Sequence, residues 1–401
     1  MLKGLRTRTG SVRGRRGVVA AALAAVAVAS LGAVSVASAG PSDKPRPGHD
    51  RALQAELEAI VKDGSVPGVL MSVRDRNGRV TDYTAGVGDI RTKSKVPVDG
   101  HVRIASITKM FTAVATLQLA GEGKLALDDT VEKHLPGLIR GTGDGASVHG
   151  GNMTVRQLLN HTSGMTSEMP LLSQGILPVK DRYFEARELL DASLTREPAF
   201  APGQERVFSY SNTGYITLGL LVQKVTGRPL AEVITEKIIK PAGLKETYYP
   251  GPGDREIRSP HPRGYLFEKT DKGEPIPGKL VDITRFDPSI AGAAGQMIAT
   301  PSDINKFLVA LESRLLKPRE LAEMRKTVET ALFPGWRYGL GVIEMKLSCG
   351  ITAYGHGGDA DGFQTRAAIT PDGRAVTIAA TNDEAGVMEV ISVFDKALCA
   401  K

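Results

Sequence analysis

Cysteine is scarce: Cys349 and Cys399 are the only two in 401 residues. The chain therefore has room for one disulfide at most. Seven histidines, His49, His101, His134, His149, His161, His261 and His356, show no metal-ligand spacing, and H-E-x-x-H is absent. No metal and no cofactor are expected. G-x-S-x-G is missing as well, which argues against an α/β-hydrolase. After the N-terminal leader there is no internal repeat and no low-complexity segment.

Net charge is also scarce once the N-terminus is set aside. Lys3, Arg6, Arg8, Arg13, Arg15 and Arg16 stand in the first 16 residues without one acid, and an Ala/Val-rich stretch follows to Val36. Ala37-Ser38-Ala39 then offers an A-x-A cleavage site before Gly40. That layout is expected of a secretory signal peptide over 1–39. The Arg15-Arg16 pair hints at twin-arginine export. The alanine-rich stretch makes a weak membrane anchor, so no stable anchor is expected. The six leader cations are part of 51 basic residues; without them 45 face 44 acidic ones. The pI near 9.2 belongs to the leader, and no nucleic-acid partner is implied. The mature protein is expected to be secreted, where an even cysteine pair suggests a disulfide.

Roughly 360 mature residues suit one large or two interleaved domains. Residues 40–49 read as a flexible mature N-terminus, followed by a helix through about Lys62. V-L-M-S-V-R-D-R-N-G-R-V-T-D-Y-T-A-G-V then alternates and turns at Asn77-Gly78, a strong hairpin signal. Near the other end, F-Q-T-R-A-A-I-T-P-D-G-R-A-V-T-I-A-A-T forms a second hairpin at Pro371-Asp372-Gly373, with a closing helix over about 384–398. Between them the pattern is helical, over 106–121, 154–160, 185–194, 212–226, 229–239 and 301–312. The expected fold is α/β. One antiparallel sheet from residues 50–102 and 313–401 is flanked by helices, and a mostly helical domain, 103–312, is inserted.

The helix opening at R-I-A-S-I-T-K carries the first chemical signal. Ile107, Met110, Phe111, Val114 and Leu117 cover one side at about 100° per residue, and Ala105, Ala113, Ala115 and Leu119 fill most of the rest. Such a helix is buried. Ser106 and Lys109 stand three residues apart and meet on one face. Either Lys109 snorkels outward, or desolvation lowers its pKa and makes it the proton acceptor of a serine nucleophile. The helix alone leaves both readings open.

Two further motifs follow, each occurring once. Tyr210-Ser211-Asn212 lies in P-G-Q-E-R-V-F-S-Y-S-N-T-G-Y, where a loop closed by Pro202-Gly203 enters a helix that Asn212 is placed to cap. Tyr210 is a candidate phenol near the serine, and Asn212 a donor to a substrate carbonyl; the plain alternative is capping and packing. Tyr354-Gly355-His356-Gly357-Gly358-Asp359 reads as a Gly-rich edge strand that lets another backbone approach, or else as a tight turn with a surface histidine.

In that order the three motifs resemble the serine β-lactamase-like group: class C β-lactamases, secreted D-alanyl-D-alanine carboxypeptidases of actinomycetes, and related esterases and D-aminopeptidases. The likeness runs from about 50 to 399 and includes G-K-L-A-L-D-D-T-V, M-T-V-R-Q-L-L-N-H-T-S-G-M, I-I-K-P-A-G-L, Y-G-L-G and G-H-G-G. It implies Ser106 as nucleophile, with Lys109 and Tyr210 sharing the base and proton-shuttle work. Asn212 would orient the substrate amide, and His356, Gly357 and Gly358 form the third motif. The amides of Ser106 and Asp359 would make the oxyanion hole. His161, in N-H-T-S-G, matches a structural turn, and the Cys349/Cys399 positions look like those of the actinomycete carboxypeptidases.

Two positions depart from the carboxypeptidases. Gly357 replaces a frequent threonine whose hydroxyl helps hold a substrate carboxylate. On the strand entering the motif, where an arginine is usual, the nearest cation is Lys346, with Glu344 close by. The resemblance implies an acyl-enzyme hydrolase of the D-alanyl-D-alanine carboxypeptidase type, acting on a small molecule or a peptidoglycan peptide and acylated by β-lactams. An esterase or class C-like β-lactamase is the enzymatic alternative, and a β-lactam or peptidoglycan binder without turnover the non-enzymatic one.

Overall fold

The computed structural model describes residues 47–400 apart from 168, 169, 202, 203, 205, 206 and 271. The leader over 1–39 and the Pro202-Gly203 loop closure lie outside the described residues. The first helix, α1 (Pro47–Ile60), begins within the segment read as a flexible terminus.

Eight antiparallel strands form the central sheet. They are β1 (Gly68–Arg74), β2 (Val80–Gly86), β3 (Val328–Glu329), β4 (Trp336–Tyr338), β5 (Ile343–Lys346), β6 (Thr352–Ala360), β7 (Phe363–Ile369) and β8 (Ala375–Ala380), in the order β2-β1-β8-β7-β6-β5-β4-β3. Both expected hairpins form: Gly78 (φ +86°) and Gly373 (φ +85°) supply the left-handed backbone that their turns need. The two are joined edge to edge, Val69 opposite Ala380 and Arg74 opposite Ala375. A sheet drawn from both chain ends follows.

Strand alternation sorts the side chains onto two faces. Met71, Ala368, Val376 and Ile378 pack under α1 and the closing helix α5 (Val387–Cys399) with Leu53, Leu57, Val390 and Phe394. Leu70, Ala367, Ala375 and Ala379 turn to the other core, which contains α2 (Thr108–Gly121) and α4 (Pro301–Ala310). Phe111 of α2 stacks on Phe307 of α4 at 4.0 Å between ring centroids. Thus α4, read from sequence as part of the inserted helices, packs on β1, β7 and β8.

The strand carrying His356 departs from the expected edge position, because β6 lies between β7 and β5. β5 pairs with it only from Thr352 to Gly355, however, while β7 continues to Ala360. His356 to Ala360 therefore has a strand on one side only. Its backbone is open there locally, although the strand is internal.

Candidate active site

The site starts from a strained turn. Strand residues Val102–Arg103 pair with Ile298–Ala299 and lead into Ala105, a non-glycine residue at φ +46°. Arg103 is 2% exposed, and its Nη2 donates to the carbonyls of Arg255, Thr284 and Phe286 at 2.9–3.0 Å. Those bonds pin the strand that enters the turn. From His101 to Leu117 every residue is buried except Ser106.

Lys109 is fully buried, so it does not snorkel. Its Nζ lies 2.7 Å from Asn212 Oδ1, 2.9 Å from the Ala294 carbonyl oxygen and 3.0 Å from Ser106 Oγ. Burial without a carboxylate partner holds the amine well below its usual range. A neutral amine has two N–H donors and one lone pair. The amide oxygen and the carbonyl can only accept, so they take both N–H groups. The lone pair is left for the Ser106 hydroxyl.

Asn212 is the first residue of α3 (Asn212–Thr226), yet it is not the cap. Ser211 caps the helix, its Oγ accepting from Gly214 N at 3.0 Å. Both residue types suit a cap; the hydroxyl takes that role, and the Asn212 amide turns inward to Lys109. Tyr210 is held from both sides by His161: Ser209 N donates to the His161 carbonyl, and Ser211 N to His161 Nδ1, each at 3.0 Å. The His161 ring lies 4.3 Å from the Tyr210 ring, and His161 itself takes a left-handed backbone, φ +61°. Burial raises the Tyr210 pKa while a hydrogen bond with Ser106 opposes it. The phenol is thus protonated at neutral pH and within reach of the nucleophile.

The third motif approaches from the sheet. A β-carbon at Gly358 would stand 2.3 Å from the Ile104 carbonyl oxygen and 2.9 Å from Ser106 N, so only glycine fits. His356 is 2% exposed; its Nδ1 hydrogen-bonds the Gly357 carbonyl, and Nε2 accepts from the Tyr338 hydroxyl at 2.8 Å. Burial pushes its pKa down to about 3. His356 is a neutral hydrogen-bonding group here, not a cation.

The structure thus brings Ser106, Lys109, Tyr210, Asn212, His356, Gly358 and Asp359 to one place. Gly357 faces the Arg366 side chain, whose Cδ would lie 3.2 Å from an added β-carbon. Lys346 is not part of the group: it is exposed and pairs with Thr352, four strand positions before His356. A disulfide joins Cys349, in the turn before β6, to Cys399 at the end of α5.

Three residues of this region received no role from the sequence. Tyr338 was visible as the first letter of Y-G-L-G, and Gly341 of the same motif (φ +80°) lies against Ala113 and the Lys109 carbonyl. Arg366 carried no signal, since its meaning depends on sitting opposite Gly357 in the register.

A Beta-lactamase family model matches residues 53–399. The chain belongs to that family. It has the β-lactamase/transpeptidase-like fold. A D-stereospecific amidohydrolase from Streptomyces sp. is similar at 38% identity and TM-score 0.76, covering 86% of this chain and 98% of that one. D-amino acid amidase from Ochrobactrum anthropi SV3, in complex with D-phenylalanine, follows at 28% and 0.74, over 87% and 98%. Penicillin-binding protein 4 of Amycolatopsis lactamdurans is 26% identical over 82% of this chain and 84% of its own. Protein flp of Staphylococcus aureus strain MW2 is 33% identical over 195 residues, and the chain spans 37% of its length.

Proposed function

We propose that this family member is a D-stereospecific amidase or esterase that forms an acyl-enzyme on Ser106. The observation that carries the hydrolytic reading is the Lys109 amine: buried without a carboxylate partner, its pKa lowered by desolvation, and held 3.0 Å from Ser106 Oγ with Asn212 Oδ1 and the Ala294 carbonyl oxygen as its other neighbours. In this reading Lys109 takes the hydroxyl proton as Oγ attacks the substrate carbonyl. The Ser106 and Asp359 amides hold the developing oxyanion, and Asn212 Nδ2 donates to the acyl portion. Tyr210 passes a proton to the leaving nitrogen or oxygen, and water then releases the acid.

The D-amino acid amide substrate is supported by the two amide-hydrolysing neighbours, each covered over 98% of its length. It is also supported by the third motif, which has neither a hydroxyl at Gly357 nor a cation from Lys346 to anchor a terminal carboxylate. A D-alanyl-D-alanine carboxypeptidase acylated by β-lactams is the second reading, favoured by the similarity to penicillin-binding protein 4. Export, proposed from residues 1–39, agrees with a structural disulfide.

The test is one panel: D-phenylalanine amide, its L-enantiomer, a D-alanyl-D-alanine peptide and a p-nitrophenyl ester, with intact-mass detection of the acyl-enzyme. Preferential turnover of the D-amide, with Ser106 as the only acylated residue, is expected. Turnover restricted to the D-alanyl-D-alanine peptide would establish the second reading instead, and acylation at another serine would refute the site.

A further inference from the structure

Asp359 and Arg366 form an ion pair whose two halves are buried unequally. Arg366 Nη1 donates to Asp359 Oδ1 at 2.7 Å, and also to the carbonyls of Thr365 (2.7 Å) and Gly358 (3.4 Å). The guanidinium side chain is 6% exposed and the carboxylate side chain 54%. The pair therefore hides its positive end under Gly357 and presents its negative end to solvent. Asp359 directly follows Gly358, where an added β-carbon would stand 2.9 Å from Ser106 N. Its charge also reaches the Tyr210 hydroxyl, where it is a lesser cause, after burial, of the raised pKa. Arg366 offsets it only from the buried side, so the carboxylate is the charge that a ligand entering from solvent meets first.

We infer that Asp359, fixed by Arg366, is the specificity-determining residue of the site: it rejects substrates with a carboxylate next to the scissile bond and admits uncharged or cationic ones. This deepens the amidase reading and rests on it. Like charges brought together in a partly desolvated cleft repel strongly, and Coulomb energies at a few ångströms are large enough for discrimination of ~10-fold or more. In Asp359→Asn the repulsion disappears, and Arg366 loses its carboxylate partner and becomes available to an anion.

The experiment uses one D,D-dipeptide in two forms, with a C-terminal carboxylate and as the C-terminal carboxamide, and a neutral p-nitrophenyl ester beside them. The wild type should prefer the carboxamide by ~10-fold or more in kcat/KM, and Asp359→Asn should reduce that ratio by a similar factor, chiefly through faster turnover of the carboxylate. Asp359→Glu, which keeps the charge, should retain most of the ratio. Raising salt should shrink the wild-type ratio, because a half-exposed charge is screened; this arm needs no variant. A ratio near one, or one indifferent both to Asp359→Asn and to salt, overturns the inference while ester turnover leaves the hydrolase reading standing. Failure to turn over any of the three, the ester included, overturns both.

Discussion

The Tyr338 hydroxyl donates to His356 Nε2 across 2.8 Å, and both side chains are buried. Removing the donor with Tyr338→Phe leaves a buried ring nitrogen unsatisfied and should cost about 1–3 kcal/mol of stability. Chemical denaturation of the two proteins measures this. An unchanged midpoint would mean that another group replaces the bond.

The same histidine gives a pH dependence. Folded His356 stays neutral down to about pH 3, whereas the unfolded chain binds a proton near pH 6.5. Its contribution to stability is complete above the unfolded pKa and lost as pH falls from there towards 3. Compared with His356→Gln, the wild type should lose stability faster on acidification from about pH 7 to 4. A Tm difference that is flat over that interval would contradict a neutral imidazole.

Lys109→Met should abolish turnover and reverse a stability trend. Burial lowers the pKa of the folded amine, whereas in the unfolded chain it protonates below about 10.4. Stability of the wild type relative to the methionine variant should therefore fall as pH drops from 10.4, by up to ~1.4 kcal/mol per unit until the folded pKa is reached. Urea titrations at pH 7, 8 and 9 provide the comparison; parallel curves would show a charged lysine.

Gly358→Ala should lower kcat by ~100-fold or more without unfolding the protein, because the added carbon meets the Ile104 and Ser106 backbone and must push β6 away from the nucleophile. Near-normal kcat would mean that the turn has slack.

Protein made in an oxidising compartment and purified without reductant should show no titratable thiol after denaturation, given the Cys349–Cys399 bond. Reduction should cost up to about 4 kcal/mol in the chain-entropy model. Two thiols appearing before any reductant is added would remove the bond from solution chemistry.

Local signals in the sequence were read well, and those requiring a register were not. The Asn77-Gly78 and Pro371-Asp372-Gly373 turns and the apolar helix behind Ser106 are properties of neighbouring residues. So is the spacing of Ser106 and Lys109. By contrast, an edge strand and a half-covered internal strand read alike, since both are glycine-rich, and only pairing with β5 and β7 separates them. Ser211 and Asn212 are both good caps, so the choice between them waited on what Lys109 needed. Lys346 was judged by its distance along the chain; the pairing with Thr352 places it well away from His356. Arg366 became visible only opposite Gly357.

A sheet closed by its two ends sets a schedule for synthesis. β1 cannot be paired on its inner side until β8 exists, about 310 residues later, and β6, which packs against Ser106 N, is also among the last segments made. Contacts of such range form slowly. The nucleophile helix is therefore complete in the growing chain long before the strand that completes its site, and a chain terminated before Gly358 carries Ser106 and Lys109 without the strand that packs beside them.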